Sequence, residues 1–266
     1  MPKQRPAIIG VIVILLIAVI GGGAWYISHR SQPNTTQTSK KKRITAPINE
    51  LPLAERPVVL LETLDSRNIQ LSVQTLKKPA QSMEYELEYQ AGSLLQGAFG
   101  SIELGSLPAQ EKILLGSCSA GGACTYHQDV KGGSLVGKFA SDDAPYVLKS
   151  DWKYIENTAK ESAVSSKDAK FQFNSPALAK QAIILIFNGF GYPAGLEGTP
   201  ISDPYMISTS STVSGEGELT IRANEEGATA IMGWDGSTWK TFAPSKVDGK
   251  SVTATVPFVQ MYIVVK

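Results

Sequence analysis

From Met83 to Tyr89 the chain alternates strictly. Met83, Tyr85, Leu87 and Tyr89 fall on one side, and Glu84, Glu86 and Glu88 on the other. A strand buried on one face produces this pattern, because successive side chains point to opposite sides, whereas a helix would scatter the glutamates around its surface. The same period of two recurs at 69–73 and at 251–256, where Val252, Ala254 and Val256 alternate with Ser251, Thr253 and Thr255. Shorter apolar runs predict further strands at 57–64, 99–104, 112–117, 124–128, 134–139 and 146–152. Later in the chain the same signal predicts 170–173, 182–187, 205–209, 218–223, 228–234, 239–242 and 261–265, and glycine and proline punctuate the gaps. So many short strands predict a mostly β protein.

One stretch has another character. From Ala7 through Ile27 there are 21 residues and no charge. As a helix it would span roughly 30 Å, the thickness of a bilayer's hydrocarbon core. A helix satisfies its own backbone groups in lipid, so the many β-branched residues are no obstacle. Trp25 and Tyr26 stand where an interfacial aromatic belt would fall. Two readings remain open. One is a retained transmembrane signal-anchor, which the length favours. The other is a cleaved signal peptide with Gly22 and Ala24 at the cleavage site.

Composition divides the remainder. Residues 28–49 are rich in Ser, Thr, Gln, Asn and Lys and predict a flexible basic stalk. Residues 157–169 are polar and lack aromatics, which predicts a linker. The expected organisation is therefore a cytoplasmic N-terminus (1–6), a transmembrane helix (7–27), the stalk, a β-sandwich module (50–156), the linker and a second β-sandwich module (170–266).

Charge sharpens this picture. Residues 1–43 hold seven of the 25 basic residues and none of the 24 acidic ones, so the rest carries a net charge of −6. An acidic body repels polyanions, which argues against nucleic acid as a partner. Lys3 and Arg5 favour the N-terminus inside, while Arg30 and the cluster Lys40, Lys41, Lys42 and Arg43 pull the other way. That cluster is a candidate contact for anionic lipid or wall polymer, or else a solvated linker.

The two cysteines tip the orientation outward if they are joined; the alternative is a free buried pair in a cytosolic domain. In Cys118-Ser-Ala-Gly-Gly-Ala-Cys124 a three-residue loop at 120–122 would make the cysteines cross-strand neighbours within disulfide reach. A disulfide places the C-terminal part outside the cytoplasm. So short a loop contributes only about 2 kcal/mol on the chain-entropy account, so its main use is to fix a hairpin tip.

The hairpin 234–239, Trp-Asp-Gly-Ser-Thr-Trp, should set Trp234 opposite Trp239, with Asp235-Gly236 tolerating positive φ. Together with 248–256 and 261–265 it resembles the closing strands of β-sandwich modules in bacterial surface and secreted proteins. The first module is similar in a general way to Ig-like or fibronectin-type folds, without the Cys…Trp…Cys signature. The resemblance implies an extracellular β-sandwich and assigns no functional residue.

Candidate chemistry is sparse. Phe190 and Tyr192 lie among glycines and prolines in 188–200 and look poorly placed for burial; with Trp234 and Trp239 they form a candidate binding loop for a glycan or protein ligand. The alternative is a loop folded back to protect the sheet edge. Cys118, Cys124, His127 and Asp129 match no familiar zinc spacing, so no metal and no cofactor are expected. Only His29 and His127 exist, with no nucleophile elbow, and the pairs Asp142-Asp143 and Glu225-Glu226 fit turns. The expectation is a non-catalytic, membrane-anchored envelope protein with a binding, adhesion or spacer role. The alternatives are a subunit of an envelope or secretion assembly and, behind it, a hydrolase.

Overall fold

Alternation along the chain becomes strand pairing across it. The computed structural model describes residues 44–266, which form one compact unit. The expectations for 1–6, 7–27 and 28–43, including Lys40–Arg43, lie outside the described residues. Among those described, no helix is long and apolar enough to cross a membrane.

In chain order the strands are β1 (Val58–Thr63), β2 (Asn68–Thr75), β3 (Ser82–Ala91), β4 (Leu94–Glu103), β5 (Ala109–Leu114), β6 (Gly116–Cys118), β7 (Cys124–Tyr126), β8 (Val130–Ala140) and β9 (Tyr146–Glu156). There follow β10 (Ala163–Ser165), β11 (Phe171–Asn174), β12 (Ile183–Asn188), β13 (Tyr205–Thr209), β14 (Glu216–Arg222), β15 (Ala230–Trp234), β16 (Trp239–Phe242), β17 (Lys246–Asp248), β18 (Ser251–Pro257) and β19 (Met261–Val265). The mostly β expectation holds, and the alternation at 83–89 is the buried-in, charged-out pattern of β3.

The two-module expectation does not survive. Nine strands form a single antiparallel sheet in the order β16-β15-β19-β13-β12-β9-β8-β3-β4. β9, before the supposed linker, pairs directly with β12, after it, from Ile183↔Glu156 to Phe187↔Trp152. Residues 157–169 form no free linker: they contain β10, the edge of a second sheet ordered β10-β11-β14-β18-β17. Their polarity serves turns. Buried Asn157 donates from Nδ2 to the carbonyls of Glu161 and Leu178 and accepts from the Glu161 amide.

Two smaller layers cover opposite faces of the large sheet. On one face β1-β2-β5 packs Val59, Leu61, Ile69 and Leu71 into a core with Leu87, Trp152, Leu185 and Phe187. On the other, Phe171, Phe173, Leu219 and Val252 meet Ile184, Ile186, Tyr205 and Tyr262. Neighbouring residues of β12 thus feed different cores, and all six are buried. This explains why Ile183-Ile-Leu-Ile-Phe187 shows no alternation: a strand covered on both faces needs apolar residues at every position.

The stalk also ends earlier than its composition suggests. β12 pairs only the second half of β9, leaving the backbone at 147–149 exposed on that side. Ile48 bridges Val147 in parallel, and the Asn49 side chain brackets Lys149, accepting from its amide (2.9 Å) and donating to its carbonyl (3.0 Å).

Candidate functional site

The four aromatic residues of the candidate binding loop separate. Phe190 is 1% exposed and Tyr192 9%, so the expectation that they stand clear of the core is overturned. Phe190 packs edge-on to Phe187 and Phe139, with ring centroids 5.8 and 6.5 Å away. Gly191 makes the burial possible. A Cβ there would lie 2.6 Å from the Arg56 carbonyl oxygen, so only glycine lets the loop pass this closely over the chain entering β1. Tyr192 carries the Lys77 ammonium 3.9 Å above its ring. The loop closes over the body and buries Phe190 in the core.

Trp234 and Trp239 stay half-buried. They pair across the β15–β16 hairpin with ring centroids 5.4 Å apart. Gly236 has φ +102°, and the Asp235 carboxylate accepts from the amides of Ser237 and Thr238, which closes the turn. These amides and Lys240 hold Asp235 well below the usual carboxylate range. Trp239 Nε1 donates to the Ala194 carbonyl at 3.1 Å. Between the hairpin and residues 194–197 lies an open cleft of about 320 Å³, lined by both tryptophans with Met232, Glu197 and Thr238.

At the tip of the β6–β7 hairpin Cys118 and Cys124 are paired partners joined by a disulfide, Cα to Cα 4.0 Å, and both are exposed. Ser119 bonds Ala123 across the turn, which leaves residues 120–122 as the loop. His127 lies beneath, its Nδ1 3.0 Å from the Tyr89 hydroxyl. That contact ties the hairpin to the core.

A buried polar cluster has no counterpart in the sequence expectations. Asp168, in the turn between β10 and β11, accepts at Oδ2 from Asn188 Nδ2 and the Tyr205 hydroxyl, both at 3.0 Å. Its Oδ1 accepts from the Ser166 hydroxyl and, at 3.1 Å, from the Lys170 amide. Burial, then the carboxylates of Asp168 and Asp203, push the Tyr205 phenol far up, so it remains a donor. Tyr205 is fully buried, so its hydroxyl braces the layers rather than meeting a substrate.

Beside this cluster, Asp203 is raised above the usual carboxylate range. Burial is the largest cause; Lys170 opposes it, Asp168 adds to it and Arg56 opposes it. The native chain therefore keeps a proton on Asp203 where the unfolded chain has released it. The associated stability is full below the ordinary aspartate value of 3.8 and is lost as pH rises through the elevated one. Urea midpoints measured from about pH 4 to about pH 7 should fall less for Asp203→Asn than for the wild type. Equal slopes would mean that burial leaves this carboxyl unaffected.

The remaining feature is β4, an outermost strand of the nine-stranded sheet that, among the described residues, hydrogen-bonds to β3 alone. On its outward side Phe99 is 87% exposed and Leu95 68%. No protein-family model, curated protein or solved structure matches the chain, so its role has to be read from these surfaces.

Proposed function

We propose that the chain is a non-catalytic protein of the cell envelope, anchored by residues 7–27 and displaying its β body outside the cytoplasm in a binding or spacing role. The observation that carries this reading is the Cys118–Cys124 disulfide at an exposed hairpin tip, downstream of a 21-residue uncharged apolar run. Exposed disulfides persist where thiols oxidise and are rare in the cytosol. Lys40–Arg43 would then lie close to the membrane, suited to anionic head groups or wall polymers. The cleft at Trp234 and Trp239 is the place for a glycan or protein ligand, since an indole face gives area with little entropy cost. The non-catalytic part of the reading is supported by the sparse chemistry of the sequence, which has two histidines and no nucleophile elbow.

Labelling of intact cells tests the location. A membrane-impermeant maleimide should label neither cysteine until an impermeant reductant is added, and should then label both without lysis. Labelling that requires opening the cytosol would overturn the proposal.

One observation favours a second reading, a structural subunit of an envelope assembly: the long apolar edge at β4, which offers a row of backbone groups to another strand.

A further inference from the structure

β4 differs from the other sheet edges among the described residues. β10 and β17 have three residues each. β16 carries Lys240, and β5 carries Glu111 and Lys112. β1 ends in Glu62 and Thr63, and the Thr63 amide is taken by the Ser208 hydroxyl. Soluble proteins blunt sheet edges by such means, because bare edges recruit strands. β4 is ten residues long and has no charge before Glu103 and no proline. An edge left unprotected among the described residues, where the other edges are short or carry charge, points to a partner strand.

The residues specify the partner. Pairing with β3 places Leu95, Gly97, Phe99 and Ser101 on the outward face, opposite Gln90, Glu88, Glu86 and Glu84. About Gly97 the outward sequence is nearly symmetric in its apolar groups, with Leu95 two residues before and Phe99 two after. If a second β4 runs antiparallel across a two-fold axis at Gly97, each Phe99 lies opposite Leu95 of the second copy. Both exposed apolar side chains of this face are then covered twice by one operation, in the isologous manner of cyclic dimers. Charge is compatible as well. The glutamate stripe of β3 would face its counterpart three strand spacings away, about 14 Å, beyond the screening length of roughly 8 Å at physiological salt. The Glu86 carboxylate is in addition paired with Lys138. An acidic partner strand laid directly on β4 would have no such separation.

We infer that two copies of this chain join edge to edge through β4, extending the nine-stranded sheet across a two-fold axis at Gly97. This deepens the assembly reading and rests on it for the use the contact would have.

Gly97→Cys is a local reporter. A Cβ at this position meets only the Leu87 carbonyl oxygen, at 3.5 Å, an ordinary contact. On the axis, the two introduced thiols would face each other at a spacing that a disulfide spans. The full chain, purified in detergent, should give about tenfold more oxidised dimer with Gly97→Cys than with Lys246→Cys on the short edge β17, because a docked pair raises the effective thiol concentration. Adding Phe99→Lys should remove that excess. Sedimentation of the unmodified chain should give a dimer, with its dissociation constant raised at least about tenfold by Phe99→Lys alone. If Gly97→Cys fails to fold, the sedimentation arm decides. A monomer at every concentration, or crosslinking at 97 no greater than at 246, overturns the pairing and leaves the envelope location intact. Thiols labelled only after lysis would overturn the location and leave the pairing intact.

Discussion

Trp152→Ala should destabilise the whole body by about 3–5 kcal/mol, and residues at the far end of the sheet should report the loss as fully as its neighbours do. Trp152 is fully buried in β9, edge-on to Tyr89 and Tyr154 with ring centroids 6.0 and 6.4 Å away. Its Nε1 donates to the Glu88 carbonyl at 3.2 Å. Across the sheet it stands opposite Gly133 of β8 on one side and Phe187 of β12 on the other. The cavity therefore opens at the strand where the two halves join. Equilibrium urea unfolding checks this. Trp234 and Trp239 retain fluorescence in the variant, and their transition should move to lower urea together with the far-ultraviolet circular dichroism. A tryptophan transition that stays at the wild-type midpoint while the dichroism splits would mean that the halves unfold separately despite the shared sheet.

Local features were legible in the sequence because the partners lie close along the chain. The hairpin pairing Trp234 with Trp239 and the one pairing Cys118 with Cys124 follow from turn residues alone. β13, β16 and β19 have the bounds that the apolar runs predict. What remained hidden depends on distant pairing. Composition marks 157–169 as a boundary, but the β9–β12 ladder is formed by residues on either side of it, and nothing local in 152–156 or 183–187 names the other as partner. The unbroken run in β12 was a signal for two-sided burial, and it identifies a strand without saying which layers enclose it. Phe190 and Tyr192 were misplaced for a related reason. Glycine and proline predict a loop, yet loop conformation does not determine exposure once Gly191 lets the backbone pass closely over Arg56. The polar cluster draws on three segments, 166–170, 188 and 203–205, and each looks like ordinary turn chemistry by itself.

Asp168→Ala should cost about 3 kcal/mol, most of it from groups left behind rather than from the carboxylate removed. Asp168 itself is only half-buried, and water can replace part of its surroundings. Tyr205 and Asn188 are buried, and each donates to Asp168 Oδ2. Without that acceptor a hydroxyl and an amide remain unsatisfied in low dielectric, each costing about 1–3 kcal/mol. Among the described residues the Asn188 Oδ1 already has no partner, so losing the bond at Nδ2 would leave the whole amide unsatisfied. The mechanism makes a prediction that simple loss of packing does not. Tyr205→Phe in the Asp168→Ala background removes one of the stranded donors, so the double variant should be more stable than the sum of the two single losses implies. The coupling should fall between about 0.5 and 3 kcal/mol. Denaturation of the four species gives that term directly. Strict additivity would show that the phenol does not depend on the carboxylate.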